Sequence, residues 1–333
     1  MLKKSLPRRF IYIAIPVVLL LIFYMNLIKE EKTVVLIVLN GGSWKVINPL
    51  LQEDNLPTLR FIMENGVWGN LKTVHALRGE PEEYAQWGSI STGKKPEYHK
   101  FSGRLDSIKV KGIWNYSYEF KKKIGMFNWL PAWPLPSVNG FVIPSWSWTP
   151  EDVTYPPTLR KELNDLCVGR NINITPLIQN VEDKFLRQAI RTEFRELEKI
   201  STCFIHLKKK YKPKIYLVGI FGADHLQHYF WKYNFPKGFD ISPHEVEKYK
   251  NIIPQFYINF DKLVLSKIVR DKGNILFLIS DHDFQTQIPP TKLYLLNVNK
   301  ILEAGGLLTY RKDFIDYSRT KAYTHFGIHI HYK

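Results

Sequence analysis

Four short, continuously apolar runs constrain the fold of this chain more than any other feature of its sequence. They cover Thr33–Leu39, Lys123–Phe127, Lys214–Phe221 and Asn274–Ser280. A strand that is apolar at consecutive positions is buried on both faces, which is typical of parallel sheets with helices on either side. Stretches with helical spacing separate these runs. The sequence therefore predicts an α/β fold, a mostly parallel sheet with helices on both faces.

The intervals between the runs have their own patterns. Helical spacing is present at Trp44–Glu64, Thr158–Asp165, Val181–Lys209 and Ser242–Ile268. The segment Trp129–Pro157 is rich in Pro and Trp and is expected to form a packed irregular insertion. No internal repeat or low-complexity linker divides the region, so residues 33–333 are expected to form one domain.

A fifth apolar segment, Phe10–Ile28, contains 19 residues without a charge. As a helix it would measure about 28 Å, enough to cross the hydrocarbon core of a bilayer. Basic residues precede it and balanced charges follow it, so the positive-inside rule places the N-terminus in the cytoplasm. Residues 1–32 are therefore predicted to form a cytoplasmic N-terminus and a single-pass signal anchor, with the domain on the periplasmic or extracellular side. A cleaved signal peptide is the alternative, but Tyr24–Leu27 supplies no small-residue cleavage site.

Composition narrows the function further. The chain has a formal net charge of +16, of which residues 1–32 contribute six basic and two acidic residues, so the domain keeps +12. A basic domain suits an anionic membrane surface, an anionic substrate or a nucleic acid. The lysine runs Lys121–Lys123 and Lys208–Lys210 are expected to be solvated, and no nucleic-acid-binding motif accompanies them. Specific nucleic-acid binding is therefore not expected.

The chain contains two cysteines, too few for a disulfide scaffold or a cysteine-rich zinc module. Cys167 and Cys203 could pair in an oxidising exterior. Two buried thiols are the equal alternative.

Polar residues of metal-ligand type follow three of the apolar runs. The first run ends at Asn40, the third is followed by Asp224 and His228, and the fourth by Asp281-His282. Ligands in open α/β sheets bind outside the carboxyl ends of the strands, and a helix places residues four apart on one face. Each residue alone has a structural explanation, as a helix cap, a core histidine or a turn. Together they predict a metal site of imidazole and carboxylate ligands.

Several motifs also carry a family resemblance. The stretch Trp87–His99 reads WGSISTGKKPEYH, Gly222–Trp231 reads GADHLQHYFW, and Ser280–His282 reads SDH. They resemble the W-x-S-I-x-T-G-x-x-P-x-x-H, D-x-x-x-H-x-F-W and S-D-H-G motifs of the type I phosphodiesterase/nucleotide pyrophosphatase branch of the alkaline phosphatase superfamily. The motifs occur in the family's order over most of residues 33–333. The resemblance implies an alkaline-phosphatase-like fold preceded by the transmembrane helix.

The resemblance also implies a chemistry, the hydrolysis of phosphate esters with two zinc ions. In the family, one metal is held by an Asp, a His four residues later and a late His, positions that correspond to Asp224, His228 and, near the end of the chain, His325. The second is held by the residue after the first strand, by the S-D-H pair and by a Thr or Ser nucleophile. These positions are Asn40, Asp281, His282 and Glu83. A phosphorylated small molecule or a phosphodiester is the implied substrate.

This sequence departs from the family pattern where the chemistry occurs. The nucleophile position holds Glu83, which has no hydroxyl, and the first-strand Asp is Asn40, a weaker metal ligand. The Gly after S-D-H is Asp283. His325 could be replaced as the late His by His329 or His331, or all three could be surface histidines of a terminal strand.

Two hypotheses follow from these departures. Glu83 restores the carboxylate that Asn40 removes, so it could ligate a metal that activates water without a covalent intermediate. The protein is then a membrane-anchored, metal-dependent phosphodiesterase or phosphatase. The alternative is a catalytically degenerate relative that binds a phosphorylated ligand or a partner at the membrane surface. Transfer of a phospho-headgroup is a third, narrower possibility.

Overall fold

The computed structural model describes residues 32–76, 82–145, 153–166, 172–271, 273–286, 298–311, 314–316, 318–324 and 328–330. The chain divides into two compact units, residues 1–286 and 287–333. The larger unit contains the sheet and every candidate site residue except the late histidines. The expectation of one domain over residues 33–333 stays a prediction.

In its described residues, the larger unit is built on five strands that are all parallel. They are β1 (Thr33–Leu39), β2 (Ile124–Trp129), β3 (Gly140–Pro144), β4 (Ile215–Ile220) and β5 (Asn274–Ile279). Their order across the sheet is β3-β2-β4-β1-β5. Four of the strands coincide with the four apolar runs, and the predicted α/β class with a parallel sheet is confirmed.

Strand β3 was not predicted. It lies inside Trp129–Pro157, which the sequence indicated to be irregular, and that expectation is wrong for Gly140–Pro144. Only Phe141–Ile143 form its apolar centre, and Pro and Trp residues surround it. A run this short in such a context resembles a loop, and only pairing with Ile124–Trp129 makes it a strand.

Both faces of the sheet are buried. Val35 and Ile37 of β1 point into one hydrophobic cluster, together with residues of the long helix before β4. Val38 points into a second cluster with Trp87 and Met126 on the opposite face. Because side chains alternate between the faces of a strand, this division places helices and their core on either side of the sheet.

Ten helices of five or more residues cover the described part of the larger unit. They are α1 (Trp44–Gln52), α2 (Pro57–Glu64), α3 (Glu82–Thr92), α4 (Ile113–Glu119), α5 (Leu159–Leu166), α6 (Lys184–Tyr211), α7 (Gly222–Asn234), α8 (Pro243–Tyr249), α9 (Ile252–Phe260) and α10 (Ser266–Arg270). A π-helical turn, Asp261–Leu265, joins α9 to α10.

The helical pattern at Ser242–Ile268 is therefore divided, not continuous. Ser242 caps α8 through a capping box with Glu245, and Asn251 begins the next helix. The smaller unit contains the helix Val298–Ala304 and two antiparallel two-stranded sheets. The paired strands are Tyr310–Arg311 with Phe314–Ile315, and Ala322–Thr324 with Ile328–Ile330.

Two predictions from the sequence, the membrane anchor and the state of the cysteines, concern the location of the domain outside the cytoplasm. The predicted anchor, residues 10–28, lies outside the described residues. Within the ranges that the structure describes, no helix combines the length and the apolar character needed to cross a bilayer. Cys203, buried in α6, is disulfide-bonded, so it does not form the free thiol that was the alternative.

Candidate active site

The carboxyl ends of three adjacent strands bring the predicted site residues together. In the sheet Leu39 is paired with Ile220 and Val38 with Ile279. Asn40 therefore leaves β1 between the segments that follow β4 and β5. Those segments carry Asp224 in the first turn of α7 and Asp281 two residues after β5.

The side chain of Asp281 has no exposed surface. Its Oδ2 accepts hydrogen bonds from Asn40 Nδ2 at 2.5 Å and from Trp87 Nε1 at 2.8 Å. Its Oδ1 accepts from the backbone N–H groups of Gly41 at 3.1 Å and His282 at 2.9 Å. Burial raises the pKa of Asp281 above its usual range, although these donors favour the carboxylate.

The amide nitrogen of Asn40 lies among the residues expected to hold the second metal. Besides its bond to Asp281, Asn40 Nδ2 is 3.4 Å from Glu83 Oε1 and 3.5 Å from His282 Nε2. The amide oxygen of Asn40 is buried and makes no hydrogen bond to a described residue. Asn40 thus serves as a hydrogen-bond donor to these side chains.

Asp224 and His228 lie on one face of α7, as their spacing predicts. His228 Nε2 is 3.3 Å from Asp224 Oδ2, and His282 Nε2 is 3.8 Å from Asp224 Oδ1 and 3.9 Å from Asp281 Oδ1. The carboxylates of Asp224 and Asp281 are therefore less than about 8 Å apart, within the span of neighbouring metal sites. Oδ1 of Asp224 is buried and has no hydrogen-bond partner among the described residues.

Gly41 makes this close approach possible. Its φ is +68°, and a Cβ on it would lie 2.8 Å from Asp224 Cβ and 2.9 Å from Asp224 Oδ1. Real Cβ atoms do not approach other atoms this closely. The Asn40-Gly41 turn therefore has to contain glycine for Asp224 to reach the end of β1.

Glu83 enters the site from the first turn of α3. Burial raises its pKa to about 7, and the nearby carboxylates of Asp281 and Asp224 add to the effect. The imidazoles of His282 and His225 oppose it. At neutral pH Glu83 therefore exchanges a proton readily, unlike an exposed glutamate.

Two histidines complete the surroundings of these carboxyl groups. His282 Nδ1 is 3.0 Å from the carbonyl oxygen of Asp283, which leaves Nε2 directed into the site. Burial lowers the pKa of His282, but Asp281, the carbonyl of Asp283, Asp224 and Glu83 together outweigh burial, so the pKa is raised. His225 Nδ1 lies 2.9 Å from Glu193 Oε1, and the pKa of His225 is also raised despite its burial.

Sequence reasoning did not assign roles to Trp87, His225 or Glu193. Trp87 was part of a recognised motif, and only the structure shows its indole N–H on Asp281. His225 is adjacent to Asp224, but its carboxylate partner is 32 residues away on α6. No spacing in the sequence connects these two positions.

The expected late histidine lies outside the described residues. This applies to His325 and His331, and nothing is described of the side chain of His329. His325 remains a prediction. The site described above is formed by the larger unit alone.

A cavity of about 230 Å³ adjoins Asp281. The loop before α3 lines it with Lys72, helix α3 with Gln86 and Ser89, and the end of β5 with Ser280. The side-chain oxygen of Gln86 is buried without a hydrogen-bond partner in the described structure. The cavity thus presents polar groups and one ammonium group beside the carboxyl cluster.

The donor set fits one divalent metal better than two. Asp224 offers an unpartnered carboxylate oxygen beside the imidazole of His228, a combination that suits zinc. The second expected position does not fit, because the amide nitrogen of Asn40 is directed at its intended ligands. Over the described ranges, no three His, Cys, Asp or Glu side chains are arranged as a metal centre.

Comparison with known proteins bears on this site. The family model described as type I phosphodiesterase / nucleotide pyrophosphatase matches residues 34–331. No curated protein sequence matches the chain. The solved structures similar to it include two of phosphonoacetate hydrolase from Sinorhizobium meliloti 1021, in complex with phosphonoacetate and with phosphonoformate.

The likeness to these structures is distant. The phosphonoacetate complex is 14% identical, with a TM-score of 0.48 over 83% of this chain and 62% of that chain. The phosphonoformate complex is 13% identical, with a TM-score of 0.46 over 82% and 62%. This chain spans less than two thirds of the length of the hydrolase.

Proposed function

The chain belongs to the type I phosphodiesterase/nucleotide pyrophosphatase family, within the alkaline phosphatase superfamily, and from this premise we propose that it is a metal-dependent hydrolase of phosphate esters. The observation that carries the proposal is the convergence of Glu83, Asp224, His228, Asp281 and His282 at one edge of the sheet. Carboxylates with raised pKa values beside imidazoles are typical of hydrolytic sites.

Asp224 and His228 are the residues that would hold a divalent metal. A cation bound there would supply Lewis-acid stabilisation of the charge on a phosphoryl group. It would also neutralise part of the negative charge of the cluster, which otherwise repels a phosphate. Lys72 would add a second positive charge from the wall of the cavity.

Glu83 replaces the family nucleophile, and its role must differ because it has no hydroxyl group. We infer that its carboxylate accepts a proton from water. The water oxygen then bonds to phosphorus, the ester P–O bond breaks, and the proton held by Glu83 passes to the released alkoxide, which restores the carboxylate. Trp87 and the backbone of Gly41 keep Asp281 oriented, and Asp281 in turn orders Asn40 and His282.

We also propose that residues 10–28 anchor the chain in a membrane, with the N-terminus cytoplasmic and the domain on the periplasmic or extracellular side. The disulfide at Cys203 supports this location, because disulfides persist in oxidising compartments. Phosphorylated small molecules or phosphodiesters outside the cytoplasm are then the substrate class.

One observation favours the second candidate, a binding protein without catalysis. The amide nitrogen of Asn40 donates to Asp281 and lies near Glu83 and His282, where the family places a metal. A site arranged in this way would recognise a phosphorylated ligand through Asp224, His228 and the cavity without turning it over.

Metal content and turnover of the full chain together test the proposal. We expect about one equivalent of divalent metal per chain and hydrolysis of mono- or bis-nitrophenyl phosphate. His228→Ala should lose the metal and most of the turnover. His244→Ala is the matched control, because His244 is exposed on α8, outside the site.

The second candidate function, a binding protein without catalysis, predicts a different result. Metal-loaded wild type would then bind nitrophenyl phosphate without releasing nitrophenol, and His228→Ala would weaken binding only. Wild type that neither binds metal nor turns over either ester would contradict the hydrolase proposal.

A further inference from the structure

The amino ends of the strands form the edge of the sheet opposite the candidate site. The backbone N–H of Lys214 donates to the carbonyl oxygen of Lys123 at 2.8 Å, and that of Val34 donates to Lys214 at 2.9 Å. The N–H of Thr33 donates to Gly273 at 2.8 Å. The residues that lead into β1, β2, β4 and β5 therefore lie side by side.

This edge is rich in lysines that protrude into solvent. We define the basic edge as the exposed residues Lys32, Lys121, Lys122, Lys123, Lys209 and Lys212. No carboxylate of the described residues forms an ion pair with any of them. Their neighbours Lys208 and Lys210, in contrast, pair with Asp271 and Glu162. Among the described residues, these lysines therefore keep their positive charge without a carboxylate partner.

Aromatic side chains protrude from the turn beside these lysines. Tyr118 is 59% and Phe120 70% exposed. The turn is fixed, because Lys122 N–H donates to the carbonyl oxygen of Ser117 at 2.8 Å and Ser117 Oγ donates to that of Lys122 at 2.8 Å. Ordered, exposed aromatic rings next to lysines are typical of surfaces that lie in a lipid headgroup layer.

We propose that the basic edge, with Tyr118 and Phe120, docks on the anionic headgroups of the membrane in which the chain is anchored. This inference rests on the anchor proposed above. Only four residues separate Ile28 from Thr33 at the start of β1. Fully extended, they reach no more than about 18 Å, so an anchor at residues 10–28 holds this edge close to the bilayer.

The docking fixes where substrates come from. Strand β1 has seven residues, so about 20 Å separate the basic edge from Asn40 at the other end of the sheet. The carboxyl cluster then opens away from the bilayer. The site receives substrates from the aqueous phase, and headgroups of the anchoring membrane do not reach it.

The test uses the full chain in lipid nanodiscs of two compositions, phosphatidylcholine alone and phosphatidylcholine with about one third phosphatidylglycerol. Amide hydrogen exchange is measured for residues 113–124. We expect exchange there to slow at least about five-fold in the anionic discs, and exchange in α7 to be equal in both. K122E/K123E should abolish the difference.

Matched variants show that the effect belongs to this edge. K94E/K95E changes charge equally at exposed lysines near Trp129, at the carboxyl end of β2, and should leave the difference intact. Y118S/F120S keeps every lysine and should reduce the protection while circular dichroism stays unchanged. Both results support docking by the basic edge.

Three outcomes would overturn the inference. A chain that does not copurify with the discs refutes the anchor and the docking together. A chain that copurifies but exchanges equally in both lipids refutes docking and leaves the anchor standing. Binding of a DNA duplex that K122E/K123E abolishes, with equal exchange in both lipids, assigns the edge to nucleic acid.

Discussion

Replacing Gly41 by alanine should damage the fold and the site together. Gly41 has a φ of +68°, a conformation that costs an L-residue about 1–2 kcal/mol. Its new Cβ would also lie 2.8 Å from Asp224 Cβ, and such crowding in a packed interior typically costs about 1–3 kcal/mol. We therefore expect Gly41→Ala to lower the free energy of unfolding by about 2–5 kcal/mol and to displace Asp224.

The sequence offers a matched control in Gly93. Its φ is +65°, almost the same as that of Gly41, but no atom lies within 4 Å of the position its Cβ would occupy. Gly93→Ala should therefore lose only the backbone contribution, about 1–2 kcal/mol. The difference between the two variants isolates the contact with Asp224.

Urea denaturation of both variants, combined with metal content, measures these effects. Gly41→Ala should be the less stable variant and should also bind less metal, whereas Gly93→Ala should retain wild-type metal content. Equal stability losses in the two variants would show that the end of β1 does not approach Asp224 as closely as described. The turn would then not require glycine for this contact.

Three further predictions concern buried polar groups. Burial raises the pKa of Glu196 from 4.5 to about 7. The folded chain therefore binds an extra proton, and its stability falls as the pH rises through this window. Glu196→Gln should raise the free energy of unfolding above that of wild type by about 1–2 kcal/mol at pH 8 and should leave it unchanged at pH 4, measured by urea denaturation. Glu83→Thr should abolish ester turnover because it removes the proton acceptor, and Asn40→Asp combined with Glu83→Thr should recover it through a hydroxyl nucleophile, measured with bis-nitrophenyl phosphate. Trp87→Phe removes a donor from Asp281 and should cost about 1–3 kcal/mol in urea denaturation.

Each of these predictions has a control or a contrary result. The expected change in the free energy of unfolding for Glu196→Gln is smaller than the full pKa difference would give, because 19% of the Glu196 side chain remains exposed. Glu247→Gln, at a position that is 69% exposed, should not alter the pH dependence of stability. Wild-type turnover that Glu83→Thr leaves unchanged would show that Glu83 is not the proton acceptor. Trp129→Phe removes a hydrogen-bond donor from the neutral hydroxyl of Ser91, so it should lower the free energy of unfolding less than Trp87→Phe does.

Most of the sheet could be predicted because its central strands are buried on both faces. Thr33–Leu39 is paired on each side and covered above and below, so its sequence is apolar without interruption. In the described sheet, strand β3 has β2 as its one neighbouring strand, with an isolated bridge from Val142 to Tyr155 on its other side. It has only three consecutive apolar residues, so the local pattern was too weak. Its pairing with β2 depends on contacts that the sequence does not display.

The candidate site could be located but not arranged from the sequence. Asp224 and Asp281 follow β4 and β5, the two parallel strands that flank β1, and parallel strands end at one edge, so their proximity follows from the fold. The orientation of the Asn40 amide, in contrast, does not follow from the fold. It depends on which atoms surround it after folding, and an amide could equally have presented its oxygen to a cation.

The position of β1 in the sheet has a consequence for biosynthesis. It is the first of the described strands to be synthesised, yet it lies between β4 and β5. Thr33 bonds a residue 180 positions later, and Gly41 one that is 240 positions later. At typical rates of translation, β1 waits on the order of 10–50 s for its second neighbour. A nascent chain with an apolar segment exposed for this long depends on chaperones, and slower elongation between β1 and β5 would lower its yield.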